Sequence, residues 1–196
     1  RRHEMMTNGI PDVDAVLTTR ELARLIKSAG LDFKNLPEEK FDEPFGITTG
    51  AAVIFGATGG VMEAALRTVY EVLTKETLDS LEFYDVRGME GIKASKVMVG
   101  DLEVNVAVAH GLSNAKQLMQ EIKEGQSPYH FIEVMSCIGG CIGGGGQPIT
   151  NDPGIKEKRL SGVYFVDQSM EIRQSHKNPT ITKIYDDFLG YPNSAK

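Results

Sequence analysis

Apolar residues in this chain fall into two patterns. Over Thr19 to Gly30 they recur at Leu22, Leu25, Ile26 and Ala29, on one side of a helix that Thr18 or Thr19 can cap and Gly30 can end. Just before it, the run VDAVL at 13–17 predicts a short buried strand. Residues 31–50 break the pattern with Pro37, Pro44 and an acidic cluster (Glu38, Glu39, Asp42, Glu43), as expected of a solvated loop. Residues 51–55 are apolar throughout and predict a second buried strand. A glycine-rich turn, Gly56 to Gly60, then opens a long helix to about Lys75, with Val61, Ala64, Ala65, Leu66, Val69 and Leu73 as its buried face.

Strand-like segments follow at 82–87, 93–99 and 102–109, the last two joined by a tight turn at Gly100-Asp101. Ser113 caps a helix through Lys123 that Gly125 closes. Tyr129 to Ser136 reads as another strand. Asp152-Pro153 opens a helix over 154–170, and Pro179 starts a final helix that ends near Leu189-Gly190. Alternating strands and helices make this an α/β fold, a mixed sheet flanked by helices. Sites in such folds favour the carboxyl ends of strands, where the glycine-rich loops 56–60 and 139–146 are both expected.

Composition narrows the chemistry. A chain of 196 residues buries about 70% of its unfolded surface without needing disulfides. A net charge of −6, with no long Lys/Arg run, argues against nucleic acid as a partner. No apolar run approaches the ~20 residues that a membrane span needs, and no secretory or twin-arginine signal opens the chain. Two cysteines without a disulfide framework suit a reducing compartment. The first residue is arginine, so the chain is expected to begin within a longer protein.

Both cysteines lie in one segment, EVMSCIGGCIGGGGQP, from Glu133 to Pro148. Cys137 and Cys141 offer soft thiolate ligands. The surrounding glycines let backbone approach a bulky object and adopt positive φ. A half zinc site or a pair of inert core thiols are the alternatives, but His3, His110, His130 and His176 show no zinc-like pairing. Inert thiols would not require so much glycine. The pattern points to an iron–sulfur site, yet a four-iron cubane normally takes four cysteines and this chain has two.

The second loop, FGATGGVMEAALR, places a glycine turn at a helix N-terminus, where free amides and the helix dipole attract anions. It matches neither GxGxxG nor GxxxxGK[ST], so a nucleotide or phosphate module is a weak reading. Close packing of the turn on a neighbouring element is the plain one.

These two segments resemble, in order and spacing, two signatures of the [FeFe]-hydrogenase large subunit. DVDAVLTTRELARLIK, VRG at 86–88, SHKNPTITKIYDDFLG and the opening RRHEM are similar to that family as well, so the resemblance covers essentially the whole chain. It implies one lobe of the iron-only hydrogenase catalytic domain, with residues 1–196 its C-terminal portion, truncated at both ends. It also implies an H-cluster: a cubane joined through one cysteine sulfur to a two-iron unit carrying CO, cyanide and a dithiolate bridge. By position, Cys137 matches the ligand of the cubane alone and Cys141 the bridging ligand. Met135 matches a methionine packed beside the diiron unit; by itself it would be core filler. Phe55 and Gly56 match the pocket wall, with the Gly56 amide near a cyanide. Glu133 either belongs to the site or ties down the strand end. Ser136 and Ile138 depart from the family's usual alanine and proline without removing a ligand.

The implied reaction is the interconversion of H2 with two protons and two electrons, the cofactor supplying the chemistry and the protein its position. The upstream part of the same domain would supply the remaining cubane ligands, a proton-donating cysteine and a lysine facing a cyanide, so this chain alone is expected to fold but not to turn over. Ferredoxin or NAD(P)H-linked subunits would be the electron partner. Some periplasmic members carry the closing helices as a separate small subunit. Here GVYFVDQSMEIRQSHKNPTITKIYDDFLG follows the cysteine loop without a break, which favours a cytoplasmic, single-chain member. A non-catalytic iron–sulfur assembly factor or a sensory homologue is the alternative.

Overall fold

The computed structural model describes residues 3–40, 42 and 46–191; Arg1 and Arg2 of the opening segment and Glu43 and Pro44 of the acidic loop lie outside the described residues. The chain divides into two compact units, Arg1–Glu38 with Gly145–Asn151, and Glu39–Gly144 with Asp152–Lys196.

The smaller unit begins with a hairpin of β1 (Met6–Thr7) and β2 (Ile10–Pro11). Its turn residues Asn8 and Gly9 both have positive φ, 52° and 79°, the twist that two-residue hairpins require. Strands of two residues carry no apolar alternation, so the hydrophobic pattern passes over them. The strand expected at 13–17 does not form, and Val13, Val16 and Leu17 are exposed. An isolated apolar run has no ladder here to satisfy its backbone. Helix α1 (Thr19–Ser28) forms as expected, with a capping box in which Thr18 Oγ1 accepts from Glu21 N at 3.3 Å and Glu21 Oε2 accepts from Thr18 N at 2.8 Å. Arg20 secures the glycine run 145–146, donating from Nη2 to Gly145 O at 2.7 Å and from its amide to Gly146 O at 3.2 Å.

The larger unit starts with two helices, α2 (Gly50–Ile54) and α3 (Gly60–Thr74). α2 replaces the strand expected at 51–55. Thr49 caps it, accepting from Ala52 N at 3.3 Å, and Ala51 and Ile54, three apart, pack with Ala64 and Tyr164. A short apolar run is ambiguous between the two states, and the cap decides it. The glycine turn 56–60 therefore joins two helices rather than following a strand.

A three-stranded sheet follows, β3 (Ile92–Val99), β4 (Leu102–His110) and β5 (Phe131–Met135), in the order β3-β4-β5. β3 and β4 form the expected antiparallel hairpin, and β5 joins β4 in parallel after the crossover helix α4 (Leu112–Lys123), which starts at Leu112 behind Gly111 rather than at a Ser113 cap. β4 lies in the middle and is buried on both faces. Val106 and Val108 pack with Met62, Leu66, Val86 and Val97, while Ala107 and Ala109 pack with Leu118 of α4. Helices thus cover both faces of a mixed sheet. The segment 82–87 is not a strand but carries a 3-10 turn at Tyr84–Val86. The chain ends with α5 (Ile155–Ser169) and α6 (Pro179–Ile184), which continues as a π-helical turn, Tyr185–Leu189.

The buried face of α3 departs from the apolar expectation. Val69 and Leu73 are exposed, and Glu63 and Arg67 are fully buried. Arg67 grips Asp167 of α5 with two parallel bonds of 2.8 and 2.9 Å and Glu63 with one of 2.7 Å. Arg87 donates to both oxygens of Glu63, at 2.8 and 2.6 Å, and stacks over the Tyr164 ring at 3.8 Å. Arg173 closes the network through Asp167 at 2.6 Å and Glu82 at 2.5 Å, and Arg87 also reaches Glu82. Arginines and carboxylates balance in number, which is the condition under which charges tolerate burial. Glu82 and Arg87 turn inward to serve this network, and that commitment takes 82–87 out of the sheet.

Candidate metal centre

β5 delivers the cysteine loop. Its last residue, Met135, is fixed by a bond from Gly111 N to Met135 O at 2.8 Å. The chain then turns tightly, with Gly140 N donating to Cys137 O at 3.0 Å and Gly144 N to Cys141 O at 3.0 Å, and a 3-10 turn forms at Cys141–Gly143. Both thiols are exposed and neither is in a disulfide.

The two glycine-rich loops are zipped together. Thr58 N donates to Gly139 O and Ile142 N to Gly56 O, each at 3.1 Å. Gly140 makes this possible. Its φ is 87°, and a Cβ there would lie 2.8 Å from Thr58 N and 2.9 Å from Gly56 O. Gly56 thereby meets the Cys141 turn, Met135 ends the strand two residues before Cys137, and Phe55 stands beside Gly56 as the exposed C-cap of α2. The Gly56 amide donates to Val53 O at 3.3 Å.

The N-terminus of α3 is not an open anion site. Glu133, buried on β5, accepts from Gly59 N with Oε1 and from Met62 N with Oε2, both at 2.7 Å. The carboxylate takes the place that a phosphate would need, which overturns the nucleotide reading and gives Glu133 the tying role. Burial pushes its carboxyl up, against the pull of the Gly59 and Met62 amides and of Lys93.

Sequence reasoning passed over three buried polar residues around this point. Lys93 is buried on β3 and donates to Gly88 O at 3.0 Å. His110 ends β4 directly beside Met135, and burial, followed by Lys93 and Lys156, pushes its imidazole down. Thr58 is fully buried within the glycine turn. Lys93 sits at an inward position of β3, whose exposure alternates, a signal that the strand pattern does contain, whereas His110 ends β4, which is buried on both faces and gives no such signal. Thr58 Oγ1 and His110 Nδ1 make no hydrogen bond among the described residues.

Soft thiols on a glycine backbone, with buried polar atoms behind them, suit an iron–sulfur group better than a hard cation. Among the described residues no group of three or more His, Cys, Asp or Glu side chains assembles, so a complete zinc site is not built from them.

Comparison with known proteins agrees with the donor set. Residues 1–145 match the model of the iron-only hydrogenase large subunit, C-terminal domain. The chain belongs to the iron-only hydrogenase large-subunit family. Residues 153–196 match a second model, the iron hydrogenase small subunit. The NADP-reducing hydrogenase subunit HndD of Solidesulfovibrio fructosivorans is 54% identical over 196 residues, covering 100% of this chain and 33% of that protein. The periplasmic [Fe] hydrogenase large subunit of Nitratidesulfovibrio vulgaris is 54% identical over 156 residues, 80% of this chain and 37% of that protein. The chain thus spans about a third of the length of these relatives. A solved structure of [FeFe]-hydrogenase HydA1 from Chlamydomonas reinhardtii superposes with a TM-score of 0.74 and 37% identity, covering 98% of this chain and 56% of that one. The mixed sheet flanked by helices is therefore the hydrogenase catalytic-domain fold.

Within this family member, the segment matched by the small-subunit model docks on α3 by charge. Besides Arg67–Asp167, Glu71 accepts from Gln174 Nε2 at 2.6 Å and Lys177 Nζ at 2.9 Å, and lies 2.9 Å from His176 Nε2. Burial pushes the Glu71 carboxyl up, but bonds from Lys177, Gln174, His176 and the Leu78 amide outweigh it and hold the pKa down to about 2. Asn178 caps α6, accepting from Thr180 N at 3.0 Å. SHKNP, a sequence resemblance at first, is thus a clamp and a cap.

Proposed function

We propose that this chain is the C-terminal part of an [FeFe]-hydrogenase catalytic domain, which interconverts H2 with two protons and two electrons. The observation that carries the proposal is the zipped pair of loops, which displays Cys137 and Cys141 outward on rigid backbone beside Phe55, Gly56 and Met135. An H-cluster bound there supplies the redox and hydrogen chemistry. Cys137 would hold the cubane alone, and the Cys141 thiolate would be the ligand common to the cubane and the two-iron unit. Met135 presents its thioether, and Phe55 and Gly56 wall the pocket. The hydrogen bonds from Thr58 N to Gly139 O and from Ile142 N to Gly56 O hold the loop that carries the two exposed thiols in place.

The remaining cubane ligands and the proton-donating cysteine belong to the upstream part of the same domain, so residues 1–196 alone hold an incomplete site and do not turn over. Ferredoxin or NAD(P)H-linked subunits exchange the electrons. A cytoplasmic location is supported by the continuity of the large-subunit and small-subunit segments in one chain. No helix of the described residues is long and apolar enough to cross a membrane.

The test is anaerobic. Full-length protein matured with iron, sulfide and the diiron unit should show cubane absorption and evolve H2 from reduced methyl viologen, and Cys141→Ser should abolish H2 evolution. H2 evolution by the isolated 196-residue chain, or by the Cys141→Ser protein, would refute the reading. Full cubane loading with a complete diiron unit but no H2 would favour an assembly or sensory role.

A further inference from the structure

Lys93, Val108 and Glu133 stand side by side across β3, β4 and β5, in register. Val108 packs on α3, so the row faces that helix, and both charged members are buried. They share the first turn of α3. Glu133 accepts both Gly59 N and Met62 N, and a Cβ on Gly59 would lie 3.4 Å from Lys93 Nζ. Lys93 donates to Gly88 O at 3.0 Å, which anchors its ammonium away from water. This row lies one hydrogen-bond layer behind the cysteine loop: Glu133 holds Gly59, and the adjoining Thr58 amide holds Gly139 O. The next row toward the loop is His110 beside Met135.

We infer that Lys93 and Glu133 are positioning residues for the cluster electrons: an opposed charge pair behind the loop whose field sets how readily a cubane on Cys137 and Cys141 is reduced. The inference rests on the site assignment proposed above. Reduction adds one electron to the iron, so a fixed cation nearby favours the reduced form and a fixed anion opposes it. Cluster potentials follow local charge and solvent exposure, and a buried charge is little screened by salt. Had the pair served packing alone, hydrophobic residues of the same volume would have met the need.

The experiment is a titration of the full-length matured protein with dithionite, following the cubane by EPR. Lys93→Met should lower the reduced-to-oxidised ratio at the unsubstituted protein's midpoint by about tenfold, a shift of about 59 mV for one electron. Glu133→Gln keeps one amide acceptor and should raise that ratio by about tenfold. The double variant should fall between the two, and Lys93→Arg, which keeps the charge, should restore the unsubstituted midpoint. A packing role moves thermal stability but does not give opposite signs in potential. Shifts of one sign, or none, in both single variants would overturn the inference. Absence of a cubane signal in the unsubstituted protein would instead overturn the site assignment, and the inference with it.

Discussion

Helix α3 is held differently at its two ends. At Gly60 its backbone is the partner: Glu133 takes the Gly59 and Met62 amides, and the preceding turn is bonded to the cysteine loop through main-chain atoms. From Glu63 onward its side chains are the partners, and Arg67 and Glu71 draw in Asp167, Gln174, His176 and Lys177 from the closing segment. One signature, FGATGGVMEAALR, runs through both. Its first half shapes a site with closely packed backbone, where Gly59 and Gly60 leave no room for a Cβ, and its second half assembles the fold with ions. The difference teaches where to look for chemistry: the charged residues of the signature are structural, and the candidate metal centre is made of glycine and thiols.

Breaking the ionic half should have the largest effect. Arg67→Ala strips buried Asp167 of its two-bond partner and leaves buried Glu63 with Arg87 alone. Removing one member of a buried charge network costs about 3–5 kcal/mol, a large fraction of the ~5–15 kcal/mol that a folded domain has. The urea midpoint should collapse, and far-ultraviolet circular dichroism near physiological temperature should show partial unfolding. A variant as stable as the parent would mean that the network contributes nothing to this fold.

Breaking the backbone half should cost less and act locally. Gly140→Ala places a Cβ 2.8 Å from Thr58 N at a φ of 87°. Strain of this kind costs about 1–3 kcal/mol. The charge network should survive, since Glu63, Arg67 and Asp167 lie elsewhere, while the zip between the loops opens. Iron incorporation by the full-length protein should then fall more than its thermal stability does. Loss of both in proportion would show that the two halves are not separable.

How much of this could be read beforehand follows the same division. Cap and turn signals found α4, α5 and the β3-β4 hairpin, whereas periodicity found α1 and α3, although Leu22 and Leu25 of the α1 stripe are exposed. It failed at 51–55, where a run of small apolar residues carries no period and the Thr49 cap decides, and at 13–17, where no neighbouring strand completes a ladder. It also assigned Val69 and Leu73 to the core in place of Glu63 and Arg67, since a rule that charge faces water cannot see a partner such as Asp167, 100 residues away. The candidate site was legible for a different reason. Cysteines within glycine mark it locally, whereas Lys93 and His110 reach it only once three strands are aligned.

Acid should loosen the ionic half from its far end. The Glu71 carboxyl is held down to about 2, below its ordinary value of 4.5. A carboxylate with a lowered pKa contributes stability that is complete above the ordinary value and fades as pH falls through the native one. The urea midpoint should therefore decline between about pH 4.5 and 2, and Glu71→Gln should flatten that part of the decline. At neutral pH the same substitution should cost about 1–2 kcal/mol, since the bonds it weakens are charge-assisted but partly exposed. An unchanged acid profile in Glu71→Gln would assign the decline to Asp167 or Glu82, whose carboxyls are also lowered despite burial by their bonds to Arg67, Arg173 and Arg87.

The smallest effect on folding should come from the residues most important to the proposed chemistry. Cys137 is exposed and lies outside the apolar clusters, and its carbonyl, which receives Gly140 N at 3.0 Å, is unchanged by a side-chain substitution. Cys137→Ser replaces sulfur with oxygen at a solvated position, where substitutions usually shift stability by no more than about 0.5 kcal/mol. Urea unfolding of the iron-free chain should not distinguish the two proteins, whereas cubane loading of the full-length protein should be lost or sharply reduced, because a hydroxyl is a poor ligand for iron in a sulfide cluster. A Cys137→Ser chain that unfolds early would place the thiol among the groups that hold the fold together, and the contrast between an ionic half that builds and a backbone half that binds would fail.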